Sequence, residues 1–295
     1  MSDIGQKSIA ELVKRYGKTI AIYDIDESYF EKLTIADNHP NLSIATYYRL
    51  ILPTILDAAI DRILYLDCDV IVLGDVKNLF ELNLDGFGVA AVRDCTLGNN
   101  HRMVVSLPLD FTAFCAGVLM INLNYWRKNN CQENMLRFAN EMRDKLFMED
   151  QDVLNHEFRG RWFQLPYKYG YTPMSTVPID RNQTLEDVLE YAYKPVIIHY
   201  ASFIKPWLNI RIPNDEYYWK YAKLSGFKGI KETEAKKTVK RTINKLKVRY
   251  YLNKYIRPFV PDLVEIVVFD IMNIAMLLLG KKSSIQRWCE KYGMK

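Results

Sequence analysis

The 295-residue sequence predicts an α/β protein built on a mostly parallel mixed sheet, followed by a C-terminal helical tail that is first basic and then apolar. Three observations predict it. Apolar runs at Val89–Val92, Ala116–Leu123 and Pro195–His199 have the length of strands buried on both faces. Stretches of helical periodicity separate such runs, with Trp126, Met135, Phe138, Met142 and Leu146 marking one apolar face between Tyr125 and Phe147. Finally, Asp67, Asp69 and His199 fall where apolar runs end, as expected of a sheet whose ligand crevice lies at the carboxyl ends of its strands.

The elements follow in order. Residues 7–16 predict a short helix with Ile9, Leu12 and Val13 on one face and Gly17 as its stop. Thr19–Ile25 reads as a strand, and Ile44–Leu56 as a helix with Ser43 as its N-cap. The strand beginning at Arg62 ends in Asp67, and Gly74-Asp75-Val76 supplies a turn. A helix is predicted over Asp150–Phe158, and another over Glu216–Leu224 stopping near Gly226. Composition turns Lys-rich at 226–235, which divides the chain into a domain at 1–228 and a tail at 229–295.

Bulk composition narrows the possibilities. Half of the residues are hydrophobic and a quarter charged, as in globular proteins. The five cysteines, Cys68, Cys95, Cys115, Cys131 and Cys289, show no Cys-x-x-Cys spacing, which argues against a zinc site or disulfide scaffold and for a reducing compartment. The opening residues are polar, unlike a secretory signal. Charge is uneven: Lys231–Arg257 carries +8 of a total of +5, leaving −3 elsewhere. Beyond it, an apolar stretch from Pro261 to Leu279 contains Asp262, Glu265 and Asp270, which argues against a transmembrane span. Residues 236–280 therefore read as an interfacial anchor on an anionic membrane surface, placing the protein in the cytoplasm on the inner face of the cell membrane. A solvated basic helix beside one packed on the body is the alternative. No nucleic-acid-reading motif accompanies the charge, so no nucleic-acid partner is expected.

Chemistry concentrates in two segments. In Leu64-Tyr-Leu-Asp67-Cys68-Asp69, alternation along an extended chain points Asp67 and Asp69 to one side, where two carboxylates can hold a hard cation. In His199-Tyr-Ala-Ser-Phe-Ile-Lys205-Pro206-Trp207, an imidazole offers a further ligand and the lysine an ammonium for phosphate oxygens. Proline fixes the loop and tryptophan anchors it, aiming the ammonium back at the strand end. Together they suit a metal-bound diphosphate, hence a nucleotide sugar. A haloacid-dehalogenase-type phosphatase also places Asp-x-Asp after a strand, but it needs a lysine ahead of a late acidic pair. Here Lys205 follows Asp150 and Asp152.

The chain resembles glycosyltransferase family 8, the retaining enzymes that include lipopolysaccharide glucosyl- and galactosyltransferases. The resemblance covers residues 5–225 and rests on six blocks in order: Ser43-Ile-Ala-Thr-Tyr-Tyr-Arg49-Leu, Leu64–Asp69, Ala116–Trp126, Asp150-Gln151-Asp152-Val-Leu-Asn155, His199, and Lys205-Pro206-Trp207. It implies a GT-A-like fold and transfer of a hexose, glucose or galactose, from a UDP-sugar to a bacterial cell-surface glycan or glycolipid. It implies Mn²⁺ or Mg²⁺ held by Asp67, Asp69 and His199. Arg49, Cys68, Asn122, Ser202 and Lys205 would contact the donor, with Arg49 and Asp150 gripping sugar hydroxyls. Gln151 would face the anomeric carbon in an electrostatic role, flanked by Asp150 and Asp152 as catalytic carboxylates, with an acidic helix start as the alternative reading of those acids.

The chain departs from the family pattern in three places. The opening strand-helix-strand unit that would hold the base and ribose, roughly 30 residues, is expected to be missing, which leaves open a catalytically inactive membrane-surface scaffold. Cys115 stands where the family commonly has Asn, and Ser202 where it frequently has Gly.

Overall fold

The computed structural model describes residues 3–33, 35, 43–94, 112–173, 194–201, 205–208 and 214–226, with isolated positions 184, 186, 190 and 212. Residues 229–295, with the segment expected to act as an anchor, Ser202 and residues 95–111 lie outside the described residues.

Helix α1 spans Asp3–Arg15, and Gly17 at φ 64° turns the chain out of it, as only a residue without Cβ does readily. The expected strand at Thr19–Ile25 does not form. These residues pair with no strand among those described, and Ile20, Ile22 and Tyr23 are exposed. The helix expected over Ile44–Leu56 is a 3₁₀ helix, Ile44–Ile51, followed by one α turn, α2, at Leu52–Ile55. Ser43 sits at its N-cap without a side-chain capping bond. The tighter winding eclipses positions three apart and so stacks Thr46 and Arg49 on one side.

Strands β1 (Arg62–Leu66), β2 (Val70–Val72), β3 (Val89–Arg93), β4 (Phe114–Asn122), β5 (Trp162–Gln164) and β6 (Ile197–His199) are accompanied by α3 (Lys77–Phe80), α4 (Leu123–Lys128), α5 (Cys131–Met142), α6 (Asp150–Glu157) and α7 (Asp215–Ser225). The helix expected from Tyr125 to Phe147 breaks into α4 and α5 because Asn130 adopts the left-handed conformation, φ 52°.

The main sheet runs β1-β4-β3-β5, and β2 pairs with β6 in a second ribbon. The expected predominance of parallel pairing is corrected. Among the described strand pairs only β3–β5 is parallel, while β1–β4, β3–β4 and β2–β6 are antiparallel. The sheet remains mixed and the architecture α/β. Apolar runs could not reveal direction, because burial on both faces produces the same composition either way. Val89 and Ala91 point into one core with Trp126, Met135 and Phe158, and Ala90 and Val92 into another with Tyr167, Ile197 and Tyr200.

Strand β4 changes phase partway. Phe114, Ala116, Leu119 and Ile121 face the first core, whereas Val118 and Met120 face the second, and the β3–β4 register shifts between Ala91 and Arg93. That irregularity lies at Gly117, beside the site described next. Elsewhere the sheet packs closely. A Cβ on Gly88 would meet Phe158 Cε1 at 2.2 Å, and Phe158 stacks on Trp126, whose Nε1 donates to Gly88 O at 2.9 Å. Gly88→Ala is therefore expected to lower stability by about 1–3 kcal/mol through overpacking, measured as the shift in a urea unfolding midpoint.

Candidate active site

The chain crosses from one sheet to the other at Asp67-Cys68-Asp69. Strand β1 stops at Leu66 and β2 starts at Val70, so the two carboxylates flank a turn rather than alternate along one strand. Pairing places each of them. Asp67 N donates to Gly117 O at 2.9 Å, continuing the β1–β4 ladder. Val70 lies opposite His199, and Tyr200 N donates to Asp69 O at 3.0 Å, so the β2–β6 register sets Asp69 against the imidazole.

His199 Nε2 lies 3.2 Å from Asp69 Oδ1 and 3.6 Å from Asp67 Oδ2. Asp69 Oδ1 is buried without a hydrogen-bond partner. Asp67, Asp69 and His199 each offer one ligand atom, all within 4.8 Å of one another, so a divalent cation fits this donor set. Lys205 Nζ donates to Asp69 Oδ2 and, at 2.8 Å, to Tyr200 O. Pro206 is buried and the Trp207 ring leans on Tyr218 of α7, centroids 5.5 Å apart, which holds the lysine in place. The cluster draws positive charge. Burial opposes ionisation of Asp69, yet His199 and Lys205 hold its carboxyl well below the usual range. Burial likewise disfavours the His199 imidazolium, but Cys115 and Asp69 bring it to about 10.

Arg49 ties this cluster to the start of α6. Its Nη2 donates to Asp67 Oδ1 at 2.9 Å, Nη1 to Ala116 O at 2.7 Å and Nε to Thr46 O at 3.2 Å. Nε also lies 2.9 Å from Asp150 Oδ2, an ion pair whose N–H is directed at the Thr46 carbonyl instead. The guanidinium carbon stands 4.3 Å from the centre of the Tyr65 ring, and the Tyr65 hydroxyl donates to Asp67 Oδ1 at 2.9 Å. Both donors use Oδ1, which turns Asp67 Oδ2 toward His199. The Thr46 hydroxyl donates to Asp150 Oδ1. Burial raises the Asp150 carboxyl to about 6 against the pull of Arg49 and Thr46.

Gln151 is held at both ends: Oε1 accepts from Ala116 N and Nε2 donates to Asp94 Oδ2, each at 2.9 Å. One turn further, Asn155 accepts from Phe114 N and donates to Phe114 O, both at 2.9 Å. Ahead of α6, Glu149 sits at φ 47°, and its carboxylate accepts from the buried Tyr47 hydroxyl at 2.9 Å.

Asp67, Asp69, His199, Lys205, Arg49, Asp150 and Gln151 thus converge, with Cys68 exposed between the two carboxylates. Two expectations are corrected. Asn122 pairs with Arg62 at the far end of β1, roughly 17 Å from Asp67 along the strand. There its oxygen caps α4 at Tyr125 N and its Nδ2 donates to Leu84 O and Phe87 O, so it is no donor contact. Asp152 is fully buried and accepts from Phe147 N at 2.7 Å and Met148 N at 2.9 Å, so it shapes the loop before α6 rather than reaching a substrate. Sequence reasoning passed over Thr46, Tyr65 and Asp94. Tyr65 carried a usable signal, standing two residues before Asp67 and hence on the same side of β1.

A mixed α/β sheet with a carboxylate pair, an imidazole and a lysine gathered where its two ribbons meet defines a glycosyltransferase of the GT-A fold. The chain belongs to glycosyl transferase family 8, whose sequence model matches residues 2–211. It is similar to General stress protein A of Bacillus subtilis strain 168, 30% identical over 223 residues, which are 72% of this chain and 76% of the relative. It is also similar to a lipopolysaccharide 1,2-glucosyltransferase of Escherichia coli, 25% identical over 274 residues, 90% of this chain and 77% of that one. It spans only 20% to 51% of the length of the streptococcal glycosyltransferases it matches. The crystal structure of galactosyltransferase LgtC with donor and acceptor sugar analogs shares the fold, with a TM-score of 0.63 at 24% identity over 79% of this chain and 84% of that one. The phosphatase alternative falls with this assignment.

Removing the guanidinium would leave Asp67 and Asp150 uncompensated. Arg49→Met is expected to cost about 3–5 kcal/mol at pH 8. Asp150, already raised to about 6, would bind its proton still more tightly in the folded variant. Stability is lost as pH rises through such a raised carboxyl pKa, so the deficit against the unsubstituted protein should shrink at pH 5. Urea unfolding at the two pH values measures both.

Proposed function

We propose that the protein is a metal-dependent, retaining glycosyltransferase that moves a hexose from a UDP-sugar onto a glycan or glycolipid of the bacterial cell surface. The observation that carries this is the Asp67–Asp69–His199 cluster, with a buried carboxylate oxygen that no hydrogen bond satisfies. Mn²⁺ or Mg²⁺ held by these three residues would neutralise the diphosphate leaving group as its bond to the sugar breaks. Lys205 exchanges its contact with Asp69 for a phosphate oxygen, adding a second positive charge to the leaving group. Asp150, fixed by Arg49 and Thr46, orients sugar hydroxyls from the opposite side. Gln151, braced between Asp94 and Ala116, presents its carboxamide dipole to the anomeric centre as positive charge develops there. A carboxamide is a poor nucleophile, which favours this electrostatic role. The likeness to a lipopolysaccharide glucosyltransferase supports the acceptor class.

Titration of UDP into the protein with and without Mn²⁺ tests the reading, and binding that ignores the metal would overturn it. Asp69→Asn should abolish the metal-dependent part and lower UDP-sugar turnover by about 10³-fold, the equivalent of several kcal/mol of charge stabilisation.

The charge of Lys231–Arg257 supports a second element, attraction to an anionic membrane surface. No helix among the described residues is long and apolar enough to cross a membrane. Co-sedimentation with phosphatidylglycerol vesicles should be extensive at low salt and largely lost near 0.5 M NaCl, where the Debye length has fallen to about 4 Å. Equal recovery with uncharged vesicles would refute it.

A further inference from the structure

Each ring nitrogen of His199 meets a different environment. Nε2 faces the two carboxylates, and Nδ1 lies 3.5 Å from Cys115 Sγ. The ring is buried, and its place leaves no tolerance below it: a Cβ on Gly117 would stand 2.0 Å from His199 Cε1 and 2.5 Å from Nε2. Cys115 and Gly117 are two apart on β4, in the stretch where that strand departs from its β3 register. The strand thus offers the imidazole a bare backbone beneath its Nδ1–Cε1–Nε2 edge and a thiol beside Nδ1.

We propose that Cys115 and Gly117 form a seat that fixes the orientation of His199, Cys115 accepting a hydrogen bond from Nδ1–H so that the Nε2 lone pair is directed at the cation. An imidazole that binds a cation through one nitrogen is oriented by what the other nitrogen donates to, commonly a carboxylate, carbonyl or water. Here the atom beside Nδ1 is the Cys115 sulfur. A thiol is a weak acceptor, so much of the orientation comes from the fit over Gly117. Cys115 is therefore a positioning residue and not a cation ligand, consistent with its absence from the group of ligand atoms that lie mutually within 4.8 Å. The inference rests on the metal-dependent reading above.

The test uses the full chain, labelled with ¹⁵N-histidine, and two readouts. The first is Mn²⁺ affinity by calorimetry with UDP present. Cys115→Ala should weaken it about tenfold or more, as loss of such an outer partner does, and Cys115→Ser, which restores an acceptor, should recover most of it. The second is the Nδ1–H proton of His199, which should be observable by NMR in the unsubstituted protein and in Cys115→Ser but lost to solvent exchange in Cys115→Ala. Should the alanine variant fail to fold, Cys115→Val fills the space without an acceptor and is read the same way. Unchanged Mn²⁺ affinity together with an unchanged Nδ1–H signal in Cys115→Ala or Cys115→Val overturns the seat. Failure of the unsubstituted protein to bind Mn²⁺ overturns the metal-dependent reading instead, and is told apart because the Nδ1–H signal still reports on Cys115.

Discussion

The site depends on one buried guanidinium. Arg49 leaves water almost completely, which costs several kcal/mol before any partner is counted. Two carboxylates, two backbone carbonyls and the face of Tyr65 offset that cost. Because these partners belong to the 3₁₀ helix, the end of β1, the start of β4 and the start of α6, satisfying the charge fixes four elements at once. A lysine could not replace it, since a point charge lacks the planar fork that reaches Asp67, Asp150 and Ala116 together. The residue that the family resemblance places at the donor sugar is, in this geometry, the link that holds Asp67 and Asp150 in fixed relation.

A second constraint follows from the irregular start of β4. Where its register with β3 shifts and its ladder with β1 has ended, backbone groups would be buried unpaired, and the cost of that is avoided only if something replaces the ladder. Side chains do so. Gln151 and Asn155, four apart and therefore on one face of α6, bond to Ala116 N and to both polar groups of Phe114. The amides that dock α6 on the sheet also bring Asp150 beside Arg49. Fold and site share the same hydrogen bonds, and the bulge that breaks the ladder makes room for the His199 ring at Gly117.

This explains which parts were legible in the sequence. Asp67, Asp69, His199 and Lys205 were readable because short spacing next to apolar runs confines where such groups can point. The type of Ile44–Ile51 was not: its residues Thr46 and Arg49 meet Asp150 about a hundred residues later, a contact that no local pattern records. Strand direction was hidden by burial on both faces. Thr19–Ile25 has strand composition, yet a strand requires a ladder partner, and the described residues supply none. Asn122 and Asp152 failed for a common reason. Each stands inside a family block, but a side-chain oxygen of each accepts from local backbone N–H groups, a use open to any Asn or Asp near a helix start.

Charge placement then distinguishes the two basic groups nearest the carboxylates. Arg49 is enclosed on every side, and displacing it would strand two acids in a medium where unpaired charge is least tolerated. It can organise the site but cannot follow a ligand. Lys205 is about a quarter exposed and is held by one carboxylate and one carbonyl on a loop braced by Pro206 and Trp207. An ammonium on a flexible stem can exchange one oxygen partner for another without leaving a buried vacancy, provided a cation takes its place on Asp69. The arrangement therefore encloses the arginine and leaves the lysine able to change partners, and on the metal-dependent reading proposed above a cation arriving at Asp69 would release Lys205 toward phosphate.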